Sequence, residues 1–541
     1  MYIKFPDIPG HNDLFLDYLY NFENVRKFYK KDFRNTEYFK VIFEQLANTN
    51  RPHKNSLIEI IKKQYVPYEP SKQTEYNIEL LKSEKTLAVV TGQQLGIFGG
   101  PLYTFYKIIT AIKLCKHLKE QHDEYQFVPI FWMEGDDHDL DEIRSMKVIA
   151  DNNEIITLTY DDGLPPEENR GSVGNLIFND NLNHTLDELK NTLRDTEYKQ
   201  ELLELIGKYY KEGVTIKKAF RDLLFDVFDE NGLIIFDPTD YEVKKLLSPI
   251  FKKEIEDFRD HTSSVVERSA ELEESFHTQV KVKPINLFML EETERLLIEP
   301  VEEEYRLKGK RKKITKEEML NIVETEPERF SPNVLLRPVC QDYLLPTAMY
   351  VGGPGEISYF AQVSPLYEFF DIMQPIVYPR SSVTIVEKNI QDILKKYSLS
   401  YEDVFAEAGN LENKVITALS EINLESVFEK YLDAITPPIK DVKDNLTKID
   451  KTLEDTVDKT MQRIEQAVNQ LKGKAEGAEK RRFEAAIRQL QKTKSALFPE
   501  DNLQEREINF IHFANKYGLD ILKWIFSELT INKFEHQILE L

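Results

Sequence analysis

"KTLAVVTGQQLGIFGGPLYTFYKIITAIKL", residues 85–114, decides the fold. The run Thr86–Val90 is apolar and β-branched and stops at a glycine, as a buried parallel strand does. Gly92, Gly96, Gly99 and Gly100 follow. Pro101 suits the first turn of a helix, where a missing N–H costs nothing, and residues 102–120 continue with helical spacing. A second apolar run, "YQFVPIFWME" at 125–134, completes a strand, helix, strand unit. Such a βαβ unit predicts a right-handed crossover and a ligand crevice at the carboxyl ends of its strands, where the loops 92–101 and 135–142 lie.

The glycines let the backbone come close to a ligand, and a helix N-terminus offers free N–H groups to an anion. They equally suit a tight turn packing helix on sheet. The spacing matches neither G-x-G-x-x-G nor G-x-x-x-x-G-K-[ST], so no phosphate loop is assigned. Gln93 and Gln94 favour a polar ligand, because amides are costly to bury without partners.

The second constellation, "MEGDDHDLDEI" at 133–143, crowds Glu134, Asp136, Asp137, Asp139, Asp141 and Glu142 around His138. Adjacent carboxylates disfavour joint ionisation, so a Mg²⁺ ion, a substrate ammonium group or a general-base role would each account for them. A solvated acidic turn capping a helix is the plainer alternative. A third stretch, 336–368, holds "GGPGE" followed by Glu356, Tyr359 and Gln362, while Arg337 and Arg380 are cations in apolar surroundings that suit a carboxylate or phosphate. Cys340 reads as a small buried hydrophobe.

Elsewhere residues 11–85 are helical in spacing, helices are predicted at 184–230 and 240–275, and strands in "EIITLTYDD", "GLIIFDP" and "INLFMLEETERLLIEP". Thr315 and Glu318 form a capping-box pattern. Strand and loop character is predicted for "NVLLRPV", "AMYVGGPGEISYF" and "PIVYPRSSVTIVE" within 333–387. After Pro437 and Pro438, apolar residues from Val442 to Leu471 fall at steps of four and three, Gly473 and Gly477 interrupt them, and the seam resumes from Phe483 to Leu497. An antiparallel coiled-coil hairpin is predicted, with room for pairing to a second subunit.

Bulk properties narrow the function. With 94 acidic against 71 basic side chains the 541-residue chain carries a formal charge of −23, which repels nucleic acid and anionic lipid. Two cysteines exclude a disulfide framework and suit the cytoplasm. No apolar run approaches a membrane span, and the first residues, "MYIKFPDIPG", have no export-signal pattern.

Taken together, "VTGQQLGIFGGPLYTFYKI", "PIFWMEGDDHDLDEI", "LRPVCQDYLLPTAMYVGGPGEISYFAQ" and "PIVYPRSSVT" resemble the BshC family, the cysteine ligases of bacillithiol biosynthesis, over nearly the whole chain. The resemblance implies an α/β fold: a Rossmann-like parallel-sheet core with helical insertions, similar to class I aminoacyl-tRNA synthetases, plus the C-terminal antiparallel coiled-coil hairpin as a dimerisation element. The division it suggests is a helical lead-in packing on the core (1–84), the core (85–390), a helical linker (391–436), the hairpin (437–500) and a helical segment returning to the core (501–541). It implies addition of L-cysteine to glucosaminyl-malate as the last step of bacillithiol synthesis. ATP or ADP is the natural activator, with Mg²⁺, although the two-histidine and Lys-Ser-Lys motifs of class I synthetases are absent. On this resemblance Gln93, Gln94 and Gly100 line the cleft, and Asp136, Asp137 and His138 bind the amine or Mg²⁺ and help remove its proton. Tyr103 and Lys107 contact an oxyanion, and Arg337, Gln341, Glu356, Tyr359 and Arg380 complete the polar wall. A tRNA-linked transferase and a non-catalytic coiled-coil assembly protein are the alternatives.

Overall fold

The computed structural model describes residues 1–166, 168–406, 410–420 and 424–541. Its centre is a sheet of parallel strands, β1 (Thr86–Gln94), β2 (Gln126–Glu134), β3 (Ile234–Phe236), β4 (Thr347–Gly352) and β5 (Ile376–Pro379), in the order β5-β4-β1-β2-β3. Every neighbouring pair is parallel. Because helices cover both faces, β4 and β5 are buried along their whole length and β1 as far as Gly92, which explains their continuous apolar runs. The strand order reverses between β1 and β4, and a doubly wound sheet opens a crevice at that point, outside the strands' carboxyl ends.

Helix Leu102–Gln121 crosses from β1 to β2, and helix Pro354–Phe370 from β4 to β5. Between β2 and β3 lie three helices, Asn181–Thr192, Lys199–Tyr209 and Ile216–Phe228. Between β3 and β4 lie helix Tyr241–Glu273 and an antiparallel sheet that includes the hairpin Leu287–Glu291 and Glu294–Val301. The predicted capping box of Thr315 and Glu318 is present, with both reciprocal bonds made.

The glycine loop is a tight turn. Gly99 and Gly100 have φ of +87° and +73°, and a Cβ on Gly96 would stand 2.6 Å from Gly100 Cα. These glycines admit the chain to itself. Asn509 Nδ2 donates to the Gly100 carbonyl at 2.7 Å and to that of Phe98 at 3.2 Å, fixing the turn from the far end of the sequence.

By contacts the chain divides into two units, Met1–Ile385 with Asn502–Leu539, and Val386–Asp501 with Glu540–Leu541. In the first, strand Tyr2–Ile3 pairs antiparallel with His536–Glu540, so chain start and chain end share one small sheet. In the second, helices Leu424–Leu446 and Leu453–Arg482 pack antiparallel, and Lys443 meets both Asp458 at 2.8 Å and Glu454 at 3.2 Å.

Two local expectations are corrected. The stretch around Arg337 is not strand or loop: Arg337–Leu344 is a helix with Pro338 in its first turn, where proline is tolerated. The coil does not break at Gly473 and Gly477 or start after Pro437 and Pro438, for all four lie inside helices. A glycine costs a helix only about 1 kcal/mol, which its lysine, glutamate and alanine neighbours offset. The chain instead reverses at 447–452, where Asp450 accepts from the Thr452 N–H at 2.9 Å, a side-chain turn that competes well with helix.

Candidate active site

A cleft of about 590 Å³ lies at the reversal point of the sheet. The end of β1 supplies Gly92, Gln93 and Gln94, the end of β2 supplies Glu134, and the following loop supplies Asp137, His138, Asp139 and Glu142. Tyr350, Gly353, Glu356 and Tyr359 come from β4 and its helix, and Arg380 from the end of β5. Arg295, Arg337 and Arg506 reach in from the hairpin, the Arg337–Leu344 helix and the C-terminal segment.

The two glutamines divide the polar groups. Gln93 accepts from Lys107 Nζ at 2.8 Å and donates to Tyr103 Oη at 3.2 Å. Gln94 donates to Asp137 Oδ2 at 2.8 Å and to Glu142. Neither amide is left to water.

Lys107 is buried. Its ammonium is shared among the Gly92 carbonyl at 2.9 Å, Gln93 and Glu356 at 2.5 Å, so all three of its donors are used. Burial lowers its pKa, and Glu356 works against that shift. Lys107 therefore holds the β1 end and Glu356 in place, and does not have the free N–H groups that an oxyanion contact requires. Burial pushes the Glu356 carboxyl up, but Lys107, the Gly353 N–H at 2.8 Å and the Tyr350 hydroxyl outweigh it, and the net shift is downward.

Beside this group Arg380 is 7% exposed. Its Nη2 meets Glu505 at 2.7 Å and its Nη1 the Ser381 carbonyl at 3.0 Å, but its Nε is buried without a partner among the described residues. A guanidinium lining a cleft with an unused N–H suits an anionic ligand. Exposed Arg506, making no ion pair among the described residues, stands 6.0 Å from the Tyr103 ring centre, and Arg380 stands 5.4 Å from it.

On the acidic side, burial opposes ionisation of Asp137, yet bonds from His138 and Gln94 with the nearby Arg295 hold it well below the usual carboxylate range. His138 Nδ1 lies 2.9 Å from Arg295 Nη1. A guanidinium only donates, so in this contact Nδ1 is the acceptor. Arg295 is itself fixed by Ser331 Oγ at 2.8 Å, the Pro332 carbonyl at 3.0 Å and the Phe288 ring 3.9 Å away. Burial pushes the Glu134 carboxyl up to about 7, against the pull of Arg337 Nε at 3.6 Å. Arg337 donates to Gln341 at 3.0 Å, Tyr359 at 3.0 Å and Tyr350 at 3.3 Å.

The cleft thus gathers Gln93, Gln94, Tyr103, Lys107, Asp137, His138, Arg337, Glu356, Tyr359 and Arg380. It does not gather three residues predicted with them. Asp136 turns into the interior and pairs with Lys244, which also donates to the Phe330 carbonyl at 2.9 Å. Gln341 is fully buried behind Arg337 and bonded to Asp342 at 2.8 Å. Gly100 lies in the turn held by Asn509. Sequence reasoning missed Arg295, Arg506 and Tyr350, and it left Glu134 out of the catalytic set. Arg295 stands directly before the apolar run Leu296–Ile298 of its strand, which was the available signal for it.

Among the described residues, no group of three or more His, Cys, Asp or Glu is placed to hold a metal ion, and no helix is long and apolar enough to cross a membrane. Both cysteines, Cys115 and Cys340, are free and buried.

Two family models cover the chain. Residues 1–381 match the N-terminal Rossmann-like domain of bacillithiol biosynthesis BshC, and residues 383–541 its C-terminal coiled-coil domain. Among similar proteins, one named "Putative cysteine ligase BshC" from Salinibacter ruber is 34% identical over 529 residues, covering 97% of this chain and 96% of its own. Its namesake from Chloroherpeton thalassium is 34% identical over 538 residues, with 96% and 95% covered. With a parallel core in Rossmann order, a separate helical hairpin and both family models matched end to end, the chain belongs to the BshC family of bacillithiol biosynthesis.

Proposed function

We propose that this protein is a carbon–nitrogen ligase that joins the carboxyl group of L-cysteine to the amine of glucosaminyl-malate, the last step of bacillithiol synthesis. The observation that carries this reading is the pairing of two unlike polar groups in one cleft. Arg380 and Arg506 fit anionic groups, and Glu134, Asp137 and Glu142 fit an amine. The relatives' name, cysteine ligase, supports the reaction class.

Amide formation in water needs an activated carboxyl. ATP or ADP would supply that activation, with its phosphates at Arg380 and Arg506 on the cleft lining. Mg²⁺ enters as the nucleotide's counter-ion, because the described residues offer no cluster to hold it. Arg337 with Tyr350 and Tyr359 forms a rigid polar wall.

The chain works as a homodimer through the coiled coil, a reading supported by the exposed apolar residues Val427, Tyr431, Val442, Ile449 and Leu471 on and beside its helices. The test of function is incubation with cysteine, glucosaminyl-malate, Mg²⁺ and ATP or ADP, with alkylation of thiol products and chromatography of nucleotides. Bacillithiol formed with stoichiometric nucleotide turnover is the expected result. Folded protein that yields no amide with either nucleotide overturns the ligase reading.

A further inference from the structure

The acidic side of the cleft holds several carboxylates in unlike states. Asp137 accepts from Gln94 and the His138 N–H, Glu142 from Gln94, Asp139 from the Glu142 N–H, and Glu356 from Gly353, Tyr350 and Lys107. Glu134 is the cleft carboxylate that receives no hydrogen bond among the described residues. Its charged neighbour Arg337 stands 3.6 Å off, its guanidinium already donating to Gln341, Tyr350 and Tyr359. Glu134 ends β2 directly beside Gln94 in the parallel register and lines the same cleft as both glutamines.

The groups facing it come from three elements. Arg337, on its helix, and Arg295, on the hairpin, favour the ionised form, and Asp136 and Asp137, on the loop, disfavour it. Burial outweighs them all, so the group exchanges a proton near neutral pH, where a general base works best. Its neighbours are worse placed for that task. His138 turns its lone pair to Arg295, Asp137 is held ionised by its donors, and Asp136 is locked to Lys244.

We propose that Glu134 is the proton acceptor of the amide-forming step, an inference that rests on the ligase reading above. As the amine nitrogen of the acceptor substrate bonds to the carboxyl carbon of activated cysteine, its N–H proton passes to the Glu134 carboxylate. The bond that breaks joins that carbon to the oxygen of the nucleotide-derived phosphate group, and its electron pair leaves with that oxygen. The protonated Glu134 then returns its proton to solvent through the open cleft.

The test compares wild type, E134Q and E134D at saturating cysteine, glucosaminyl-malate, Mg²⁺ and nucleotide, across a pH series. Wild-type kcat is expected to rise with pH along a limb centred near 7. In E134Q kcat should fall by about 100-fold or more with KM little changed, and the limb should vanish. E134D, which keeps a carboxylate, should recover part of kcat together with the limb. E134Q that keeps both kcat and the limb overturns the inference while leaving the ligase reading intact. Wild type that forms no amide overturns both. If E134Q does not fold, E134D decides: a limb and kcat identical to wild type would overturn the role, because a shortened carboxylate cannot leave a direct proton transfer untouched.

Discussion

Asp136 is ion-paired to Lys244 inside the protein, although Glu134 two positions before it and Asp137 immediately after it both face the cleft. Three acidic residues within four positions are thereby given three different environments. The pair's energetics follow from burial: both side chains are nearly inaccessible, so removing one leaves a charge that neither water nor protein compensates.

K244M should therefore destabilise the protein by about 3–5 kcal/mol. The double variant D136N/K244M should recover much of that loss, since no buried charge remains. Chemical denaturation of the two variants and D136N, read as a double-mutant cycle, checks this. An additive result would show that the pair is not coupled.

The two kinds of glycine in the cleft region should respond differently to alanine. In G96A the new Cβ would stand 2.6 Å from a backbone atom, so the turn must open, at a cost of about 1–3 kcal/mol. At Gly353 φ is −83°, which alanine accepts, and the new Cβ would meet side chains alone, Arg380 Nε at 3.2 Å and Glu356 Oε2 at 3.5 Å. G353A should melt close to wild type and raise KM for the anionic substrate, as steady-state kinetics beside thermal melts would register.

Glu134 links catalysis to stability with a definite sign. A carboxyl raised from 4.5 to about 7 on folding is protonated more readily in the native than in the unfolded state. Its contribution thus favours the fold at low pH and is lost as pH climbs from 4.5 through 7. Replacing it by a neutral amide removes a penalty present only above that window. E134Q should be more stable than wild type at mildly alkaline pH, by on the order of 1–3 kcal/mol, and no more stable at acidic pH. Denaturation of both proteins at the two pH values measures it.

Ile449 and Leu471 are exposed on the helical hairpin unit. I449E and L471E should leave the helix content and fold of the chain unchanged while shifting sedimentation from dimer to monomer. Unchanged sedimentation in both would overturn pairing through this hairpin.

Much of this was legible where burial forces composition. β1 and the interior of β2 must be apolar throughout, so "TLAVV" and "FVPIFWM" announce themselves, and the polar residues that end them mark the cleft rim. What composition does not encode is direction within an irregular loop. Nothing local distinguishes Asp136 from Asp137; Lys244, more than one hundred positions later, makes the difference. Arg506 likewise reaches the site from a segment with no pattern of its own. Punctuation misplaces the hairpin reversal, because Pro437–Pro438 and Gly473 are stronger signals than Asp450 and Thr452 and yet lie inside helices, a glycine there costing about 1 kcal/mol and a proline about 3.

Residues 502–539 rejoin the first unit after the whole helical hairpin has been traversed, bringing Glu505 to Arg380 and Arg506 to the rim. A ribosome delivers the parallel sheet long before it delivers these two residues. A nascent chain halted before residue 502 has the strands in place but a guanidinium with no counter-charge beneath the cleft. The Arg380 side of the cleft is thus complete only when two parts of the chain, more than one hundred positions apart, have met.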